Sequence, residues 1–386
     1  MVETVIMDDF RPRWWLRSPH LQTFLGTTGQ VDCVSELTKV HRIPTSDGEA
    51  LALHEDLPLF GLPSQAANPE AFCERVALLI HGLGGSHRSG YLVRIASRLR
   101  ELGVRVFRLD LRGSGAGEEW AYKPPHAGLT SDIADTVGWI EKNFHPECLS
   151  LAGFSLGGNL VLKFLGELGR GGFRDRVDGK CLRHAVAVAP PIDLRLAADA
   201  MERGTGRLYS AYFLKLLNRH LQRKVELWPQ WKSLLRSQSA KSIRQFDQWY
   251  TAPLSGFASA DEYYEQSSSK SWLSSIQLDV DLLVAADDPI VPIKSYHGID
   301  RMTAADVEKA SSIGSIRFCQ SPWGGHLGFV ERWIVNKPAM RGTGGLEVSG
   351  LEVSQGQRAL VGRWMDRWVV DRIMESSLGQ SDRSNA

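Results

Sequence analysis

The sequence contains no run of about 18 apolar residues, the length a helix needs to cross a bilayer, so no membrane-spanning segment is expected. Charge of one sign is also missing. Lys+Arg and Asp+Glu number 45 and 44, a formal net charge of +1, which leaves no basic footprint for nucleic acid and no acidic tail. Cysteine is scarce: Cys33, Cys73, Cys148, Cys181 and Cys319 are odd in number, scattered, and form no C-x-x-C pair. That argues against a disulfide framework or a zinc cluster and for a reducing compartment. The opening Met1-Val-Glu-Thr-Val-Ile-Met-Asp-Asp lacks the basic stretch of a signal peptide, so a cytoplasmic protein is expected. Walker A and H-E-x-x-H patterns are absent. The one turn that begins like a dinucleotide fingerprint, Gly82-Leu-Gly84, has His87 where the third glycine belongs. Neither a cofactor nor a metal is expected.

What is present is a core and an alternation. Of the 386 residues 43% are hydrophobic, enough for a sizeable interior. Residues 37–43 and 49–54 alternate around Pro44-Thr-Ser-Asp-Gly48 and predict a hairpin. Continuous apolar runs at 75–80, 104–109, 148–152, 184–189, 277–286 and 315–319 read as strands buried on both faces. Helical spacing separates the earlier ones, over about 89–102, 130–144 (N-capped by Thr130 or Ser131) and 156–168. Strands alternating with helices predict an α/β fold with a mostly parallel sheet and helices on both faces.

From Ile192 to Ile276 the alternation stops and the pattern turns helical. Leu208, Tyr209, Tyr212, Phe213, Leu216 and Leu217 form a broad stripe, and Trp228, Trp231, Trp249, Tyr263 and Tyr264 add aromatics. Inserted between two strands, this stretch is expected to be a lid over an apolar pocket. The organisation expected is therefore a core of 1–191 and 277–375 with an N-terminal extension over 1–36. The lid occupies 192–276, an amphipathic helix over 358–374 closes the fold, and 376–386 is a disordered tail. Gly345-Leu-Glu-Val-Ser repeats in tandem over 345–354 and reads as a slack surface loop. Residues 11–25 mix arginines with Trp14 and Trp15. They are expected to pack the two tryptophans on the body of the domain, contact with a membrane surface being the alternative.

Between the strand at 148–152 and the helix at 156–168 lies Gly153-Phe-Ser155-Leu-Gly157, the G-x-S-x-G pattern of a nucleophile elbow. A serine at the tip of so sharp a turn is strained, and its neighbours two before and two after must be glycine to leave room. The amide of Leu156, opening the helix, would face developing negative charge.

Serine-based ester or amide cleavage also needs a base, an orienting acid and an oxyanion site. In this fold these should follow in chain order on loops at the carboxyl ends of strands. His326, among Gly324, Gly325 and Gly328 past the last strand, is the expected base. His297 is the nearest competitor but falls inside the helix after Asp288. His20, His81, His126 and His184 read as structural. Asp287 or Asp288 is the acid, the other capping its loop. His81-Gly-Leu-Gly-Gly lets backbone amides turn inward, so Leu83 N–H and Leu156 N–H would form the oxyanion site.

Six segments together are similar to the YheT-like branch of the α/β-hydrolase superfamily, related to the ABHD and embryogenesis-associated esterases. They are Arg11-Pro with Ser18-Pro-His-Leu-Gln-Thr23, His81 to Ser86, Gly153 to Asn159, Thr251 to Phe257 with Tyr263-Tyr264, Ala286 to Pro289, and Gly324 to Phe329. The resemblance implies an α/β-hydrolase fold and a carboxylic-ester hydrolase with Ser155 as nucleophile, His326 as base and Asp288 as acid. It favours Asp288 because that residue directly precedes the proline of its turn. Small ester or lipid-like substrates of short to medium acyl chain are expected. Acyl transfer to an alcohol by the same residues is the alternative, and a non-catalytic ligand-binding homologue a further one.

Overall fold

The computed structural model describes residues 2–27, 38–59, 75–234, 239–299, 314–332 and 362–378. In chain order the strands are β1 (Val2–Ile6), β2 (Lys39–Pro44), β3 (Ala50–Asp56), β4 (Arg75–Ile80), β5 (Arg105–Asp110), β6 (Cys148–Phe154), β7 (Leu182–Val188), β8 (Asp279–Ala285), β9 (Ile316–Ser321), β10 (Val330–Arg332) and β11 (Gly362–Arg363). The helices are α1 (Pro19–Thr27), α2 (Gly90–Glu101), α3 (Thr130–Phe144), α4 (Leu156–Gly169), α5 (Leu194–Met201), α6 (Gly206–Leu227), α7 (Ile243–Phe246), α8 (Ala252–Leu254), α9 (Ala260–Ser267) and α10 (Trp364–Leu378). A π-helical turn, Asp247–Thr251, joins α7 to α8.

Nine strands form one sheet in the order β1-β9-β8-β7-β6-β4-β5-β3-β2. From β1 to β5 every pairing is parallel, and β3 and β2 close one edge as the antiparallel hairpin predicted from the sequence. The continuous apolar runs are explained by coverage on both faces. On β4, Val76, Leu78 and Ile80 pack with α3 and α4 on one side, while Ala77 and Leu79 pack with α2 and α10 on the other. Each layer excludes water from a whole sheet face, at roughly 25 cal/mol per Å² of apolar surface removed.

Several expectations need correction. The N-terminal extension contributes β1, an edge strand in register with β9, Val2 opposite Ile316. Its alternation is too short and too polar to mark a strand. Trp14 and Trp15 are exposed, whereas Leu16, Gln22, Thr23 and Leu25 of that segment are buried. Neither Thr130 nor Ser131 caps α3. Leu129 holds the cap position without a side-chain bond, because the Thr130 hydroxyl donates to Glu167 instead. The closing helix begins at Trp364 and runs to Leu378, so residues 376–378 of the expected tail are helical. His297 lies just past a short 3-10 turn, Ile293–Tyr296, not within a helix. The tandem repeat at 345–354 and residues 379–386 lie outside the described residues. No helix among the described residues is long and apolar enough to cross a membrane.

Candidate active site

β6 lies mid-sheet between β4 and β7, so the turn at its carboxyl end is flanked by two further strand ends. Ser155 occupies that turn with φ 51° and ψ −118°, a left-handed conformation costing a non-glycine residue on the order of 1–3 kcal/mol. Contact dictates the glycines around it. A Cβ on Gly153 would collide with the Gly157 carbonyl, and one on Gly157 with the carbonyls of Ile80 and His81. The Ser155 amide donates to Val188 O at 2.8 Å, anchoring the turn to β7.

Ile80 is level with Gly153, so the chain leaving β4 passes directly over the serine. A Cβ on Gly82 would sit 3.1 Å from Ser155 Cβ and 3.7 Å from its Oγ. This loop is held from behind by His81. Its Nδ1 donates to Gly82 O at 2.7 Å, while Nε2 accepts the Leu111 amide at 3.1 Å. An acceptor at Nε2 requires the neutral imidazole, and burial lowers its pKa accordingly. Among the described residues, neither the Leu83 nor the Leu156 amide donates a hydrogen bond.

His326 follows β9 and reaches the same turn. Its Nε2 lies 2.8 Å from Ser155 Oγ, and its Nδ1 lies 2.8 Å from Asp288 Oδ2. Asp288 is only an acceptor when ionised, so Nδ1 carries the proton and Nε2 is free to accept from the serine hydroxyl. The second Asp288 oxygen takes the amides of Ile290 and Val291 at 2.8 and 2.9 Å, which fixes the carboxylate plane. Asp287 is directed elsewhere. Its Oδ1 accepts the Gly325 amide at 2.9 Å, bracing the histidine loop, and burial pushes its pKa up to about 6.

A second brace on that loop was not read from the sequence. Thr23 Oγ1, on α1, accepts the backbone N–H of His326 at 2.9 Å and donates to Pro19 O at 2.8 Å. Gln22, fully buried, donates to Leu16 O (2.8 Å) and Val330 O (3.0 Å) and accepts the Val330 amide at 2.7 Å. The loop and α1 approach so closely that Gly325, at φ 54°, admits no side chain against Pro19 O. The bonds to His326 and Val330 join residues 303 to 308 positions apart. The only signal available was the Gln22-Thr23 dipeptide in a segment matched by resemblance.

One turn into α4, Asn159 is also fully buried. Its Nδ2 donates to Ala127 O (3.0 Å) and Ser267 O (2.9 Å), and its Oδ1 accepts the Ser269 amide at 3.0 Å. It thereby ties the helical segment between β7 and β8 to the elbow helix. The Leu156 side chain packs against the buried cluster that holds Ala127, Leu194 and Tyr263. On α6, Leu216 Cδ1 lies 2.5 Å from where a Cβ on Gly84 would stand. Leu208 and Tyr212 of the predicted stripe instead face solvent.

One other cluster has the donors of a metal site: His54, His87 and Asp110, all buried. The two rings stack at 3.4 Å. Asp110, however, is already encircled by donors. It accepts from His54 Nε2 (2.9 Å), His87 Nδ1 (2.8 Å), the His87 amide (2.6 Å) and the Ala116 amide (2.8 Å). Those bonds hold its carboxyl well below the usual range. The cluster is a hydrogen-bonded anion site joining the loops after β4 and β5.

Comparison with known proteins agrees with the topology. The chain is 28% identical to YheT of Escherichia coli (strain K12) over 328 residues, 83% of this chain and 87% of that one. It is 25% identical to Phospholipase ABHD3 of Mus musculus over 332 residues, covering 85% and 74%. It is 28% identical to Medium-chain fatty acid ethyl ester synthase/esterase 2 of Saccharomyces cerevisiae over 282 residues, covering 67% and 58%. Residues 76–332 match the alpha/beta hydrolase fold model, and they carry the elbow, both strand-end loops beside it and the histidine loop. The chain belongs to the alpha/beta hydrolase fold family.

Proposed function

We propose that this protein is a serine carboxylic-ester hydrolase acting on short- to medium-chain acyl esters. The carrying observation is one hydrogen-bonded line, Asp288 Oδ2 to His326 Nδ1 and His326 Nε2 to Ser155 Oγ, each step 2.8 Å. Ser155 attacks the ester carbonyl while His326 takes its proton, and Asp288 stabilises the imidazolium. His326 then protonates the departing alcohol, leaving an acyl-enzyme that water attacks with the histidine again as base. The Leu83 and Leu156 amides bind the tetrahedral oxyanion, each worth about 2.7–4 kcal/mol.

An acyl chain suits the neighbourhood, since Leu156 packs against the apolar cluster that holds Ala127, Leu194 and Tyr263. Residues 192–276 serve as the lid, a role supported by the packing of Leu216 over Gly84. The names of the mouse and yeast relatives, a phospholipase and a medium-chain ester synthase/esterase, fit the same substrate class. Cys148, Cys181 and Cys319 are free thiols, as suits a cytoplasmic setting.

The test is a p-nitrophenyl ester series of increasing acyl length on wild type and Ser155→Ala. Wild type turns over esters up to a chain-length limit, and the variant loses both turnover and fluorophosphonate labelling. Retention of either activity by Ser155→Ala refutes the assignment. Persistence of free acid as sole product with added alcohol separates hydrolysis from acyl transfer.

A further inference from the structure

Two segments that frame the candidate active site carry cations and no acid. Residues 10–27 contain Arg11, Arg13 and Arg17 with no acid, and residues 203–225 contain Arg203, Arg207, Lys215, Arg219, Arg223 and Lys224 with no acid. The segments meet in space. His20 on α1 stacks on Tyr209 of α6 at 5.8 Å between ring centroids, its Nδ1 2.9 Å from the tyrosine hydroxyl.

Both segments also touch the catalytic loops. Thr23 holds the His326 amide, Arg17 lies 4.5 Å over the Trp323 ring on the histidine loop, and Leu216 rests on Gly84. Along this rim the large apolar side chains point outward. Trp14 is 81% exposed, Leu208 73%, Phe24 64% and Tyr212 57%. On α6 the outward positions 208, 211, 212, 215 and 219 recur at helical spacing, mixing Leu, Ala and Tyr with Lys and Arg. Arg13, Arg17, Arg207, Lys215 and Arg219 pair with no carboxylate among the described residues.

Exposed aromatics and aliphatics interleaved with unpaired cations match a lipid surface of negative charge. The apolar side chains enter the headgroup boundary while the cations meet anionic lipid and snorkel their stems. We infer that the rim formed by residues 10–27 and α6 docks the protein on membranes containing anionic lipid, with the mouth of the candidate active site facing the bilayer. The occupant is the bilayer surface, not a second copy of the chain. Docking is a property of the rim and does not depend on turnover.

The test is sedimentation of the full chain with vesicles of phosphatidylcholine alone and of phosphatidylcholine mixed with phosphatidylglycerol. Binding is expected to the mixed vesicles, weakening as salt rises. The triple variant Arg13→Gln, Lys215→Gln, Arg219→Gln should lose about a hundredfold in partition, about fivefold per cation. Trp14→Ser with Leu208→Ser and Tyr212→Ser should also release the protein. Both triple variants should hydrolyse a soluble p-nitrophenyl ester like wild type, and Ser155→Ala should bind vesicles like wild type. A failed hydrolase assignment would therefore leave the binding result intact. Absence of binding to mixed vesicles, equal binding to both kinds, or unchanged binding by both triple variants overturns the inference. So does a dimer in sedimentation velocity that the same variants dissolve.

Discussion

The brace on the histidine loop can be tested by replacing one atom. Thr23→Val keeps the shape of a buried side chain while removing the oxygen that accepts the His326 amide at 2.9 Å. The amide is left buried without a partner, at a cost of about 1–3 kcal/mol. Two outcomes are separable. If the bond only stabilises the fold, chemical unfolding shows that loss while kcat per folded molecule stays at the wild-type value. If the bond also sets where the imidazole sits, kcat falls.

The structure favours the second outcome. The His326 ring is fixed at Nδ1 by Asp288 and along its backbone by Thr23, and the neighbouring Leu327 and Phe329 have positive φ angles of 59° and 44°. A loop in that conformation relaxes when a tether is cut, and a 1 Å misplacement of a catalytic group costs on the order of a hundredfold. The expected result for Thr23→Val is a 10- to 100-fold fall in kcat on a soluble ester with KM little changed, since α1 does not border Leu156. Thr23→Ser, which restores the oxygen, should recover most of the rate. Wild-type kcat in Thr23→Val, or failure of Thr23→Ser to rescue, refutes the positioning argument.

Asp288→Asn should lower kcat by about four orders of magnitude by disfavouring the productive tautomer, whereas Asp287→Asn keeps an oxygen for the Gly325 amide and most of the activity; a reversed ranking in p-nitrophenyl ester kinetics would exchange their roles. Asn159→Leu strands three buried backbone partners and should cost about 3 kcal/mol or more in a urea melt, with an unchanged midpoint refuting its tie between α4 and the 267–269 stretch. Asp247, enclosed in the π-helical turn and accepting the Tyr264 hydroxyl at 2.7 Å, has its pKa pushed up by burial to about 6. Because that lies above the unfolded value, its stabilising contribution is present below about pH 4 and lost as pH rises through 6, by about 3 kcal/mol. The stability difference between wild type and Asp247→Asn should therefore shift across that window, and a constant difference would show that Asp247 does not titrate there.

What the sequence made legible was whatever a short stretch states about itself. The elbow is local: two glycines, a serine, an apolar strand before and an apolar helix after, and Ser155 has the strained backbone that spacing requires. Buried parallel strands announce themselves as continuous apolar runs, and the hairpin as alternation around a turn. The choice between Asp287 and Asp288 was less legible, because neighbouring residues in a turn share composition and differ only in direction. Here direction follows from the amides of Ile290 and Val291, which claim one oxygen of Asp288 and turn the other toward His326.

The α6 stripe shows where local reading fails. Leu214 and Leu221 are buried, Phe213 and Leu217 pack partly against the core, and Leu208 and Tyr212 face outward. An apolar band that wide covers more than one side of a helix, and periodicity alone gives no means to choose which side meets the protein. The same holds for residues 10–27, whose contribution to the site is a threonine oxygen and a glutamine amide meeting partners more than 300 positions away. Such contacts leave no periodic trace, since one polar atom at the correct depth is all they need. The chain's opening segment therefore reads as a peripheral extension when taken alone. In the folded molecule it forms the wall against which the His326 loop is built, so on the proposed function truncation before residue 28 should abolish ester hydrolysis while leaving Ser155, Asp288 and His326 in the sequence.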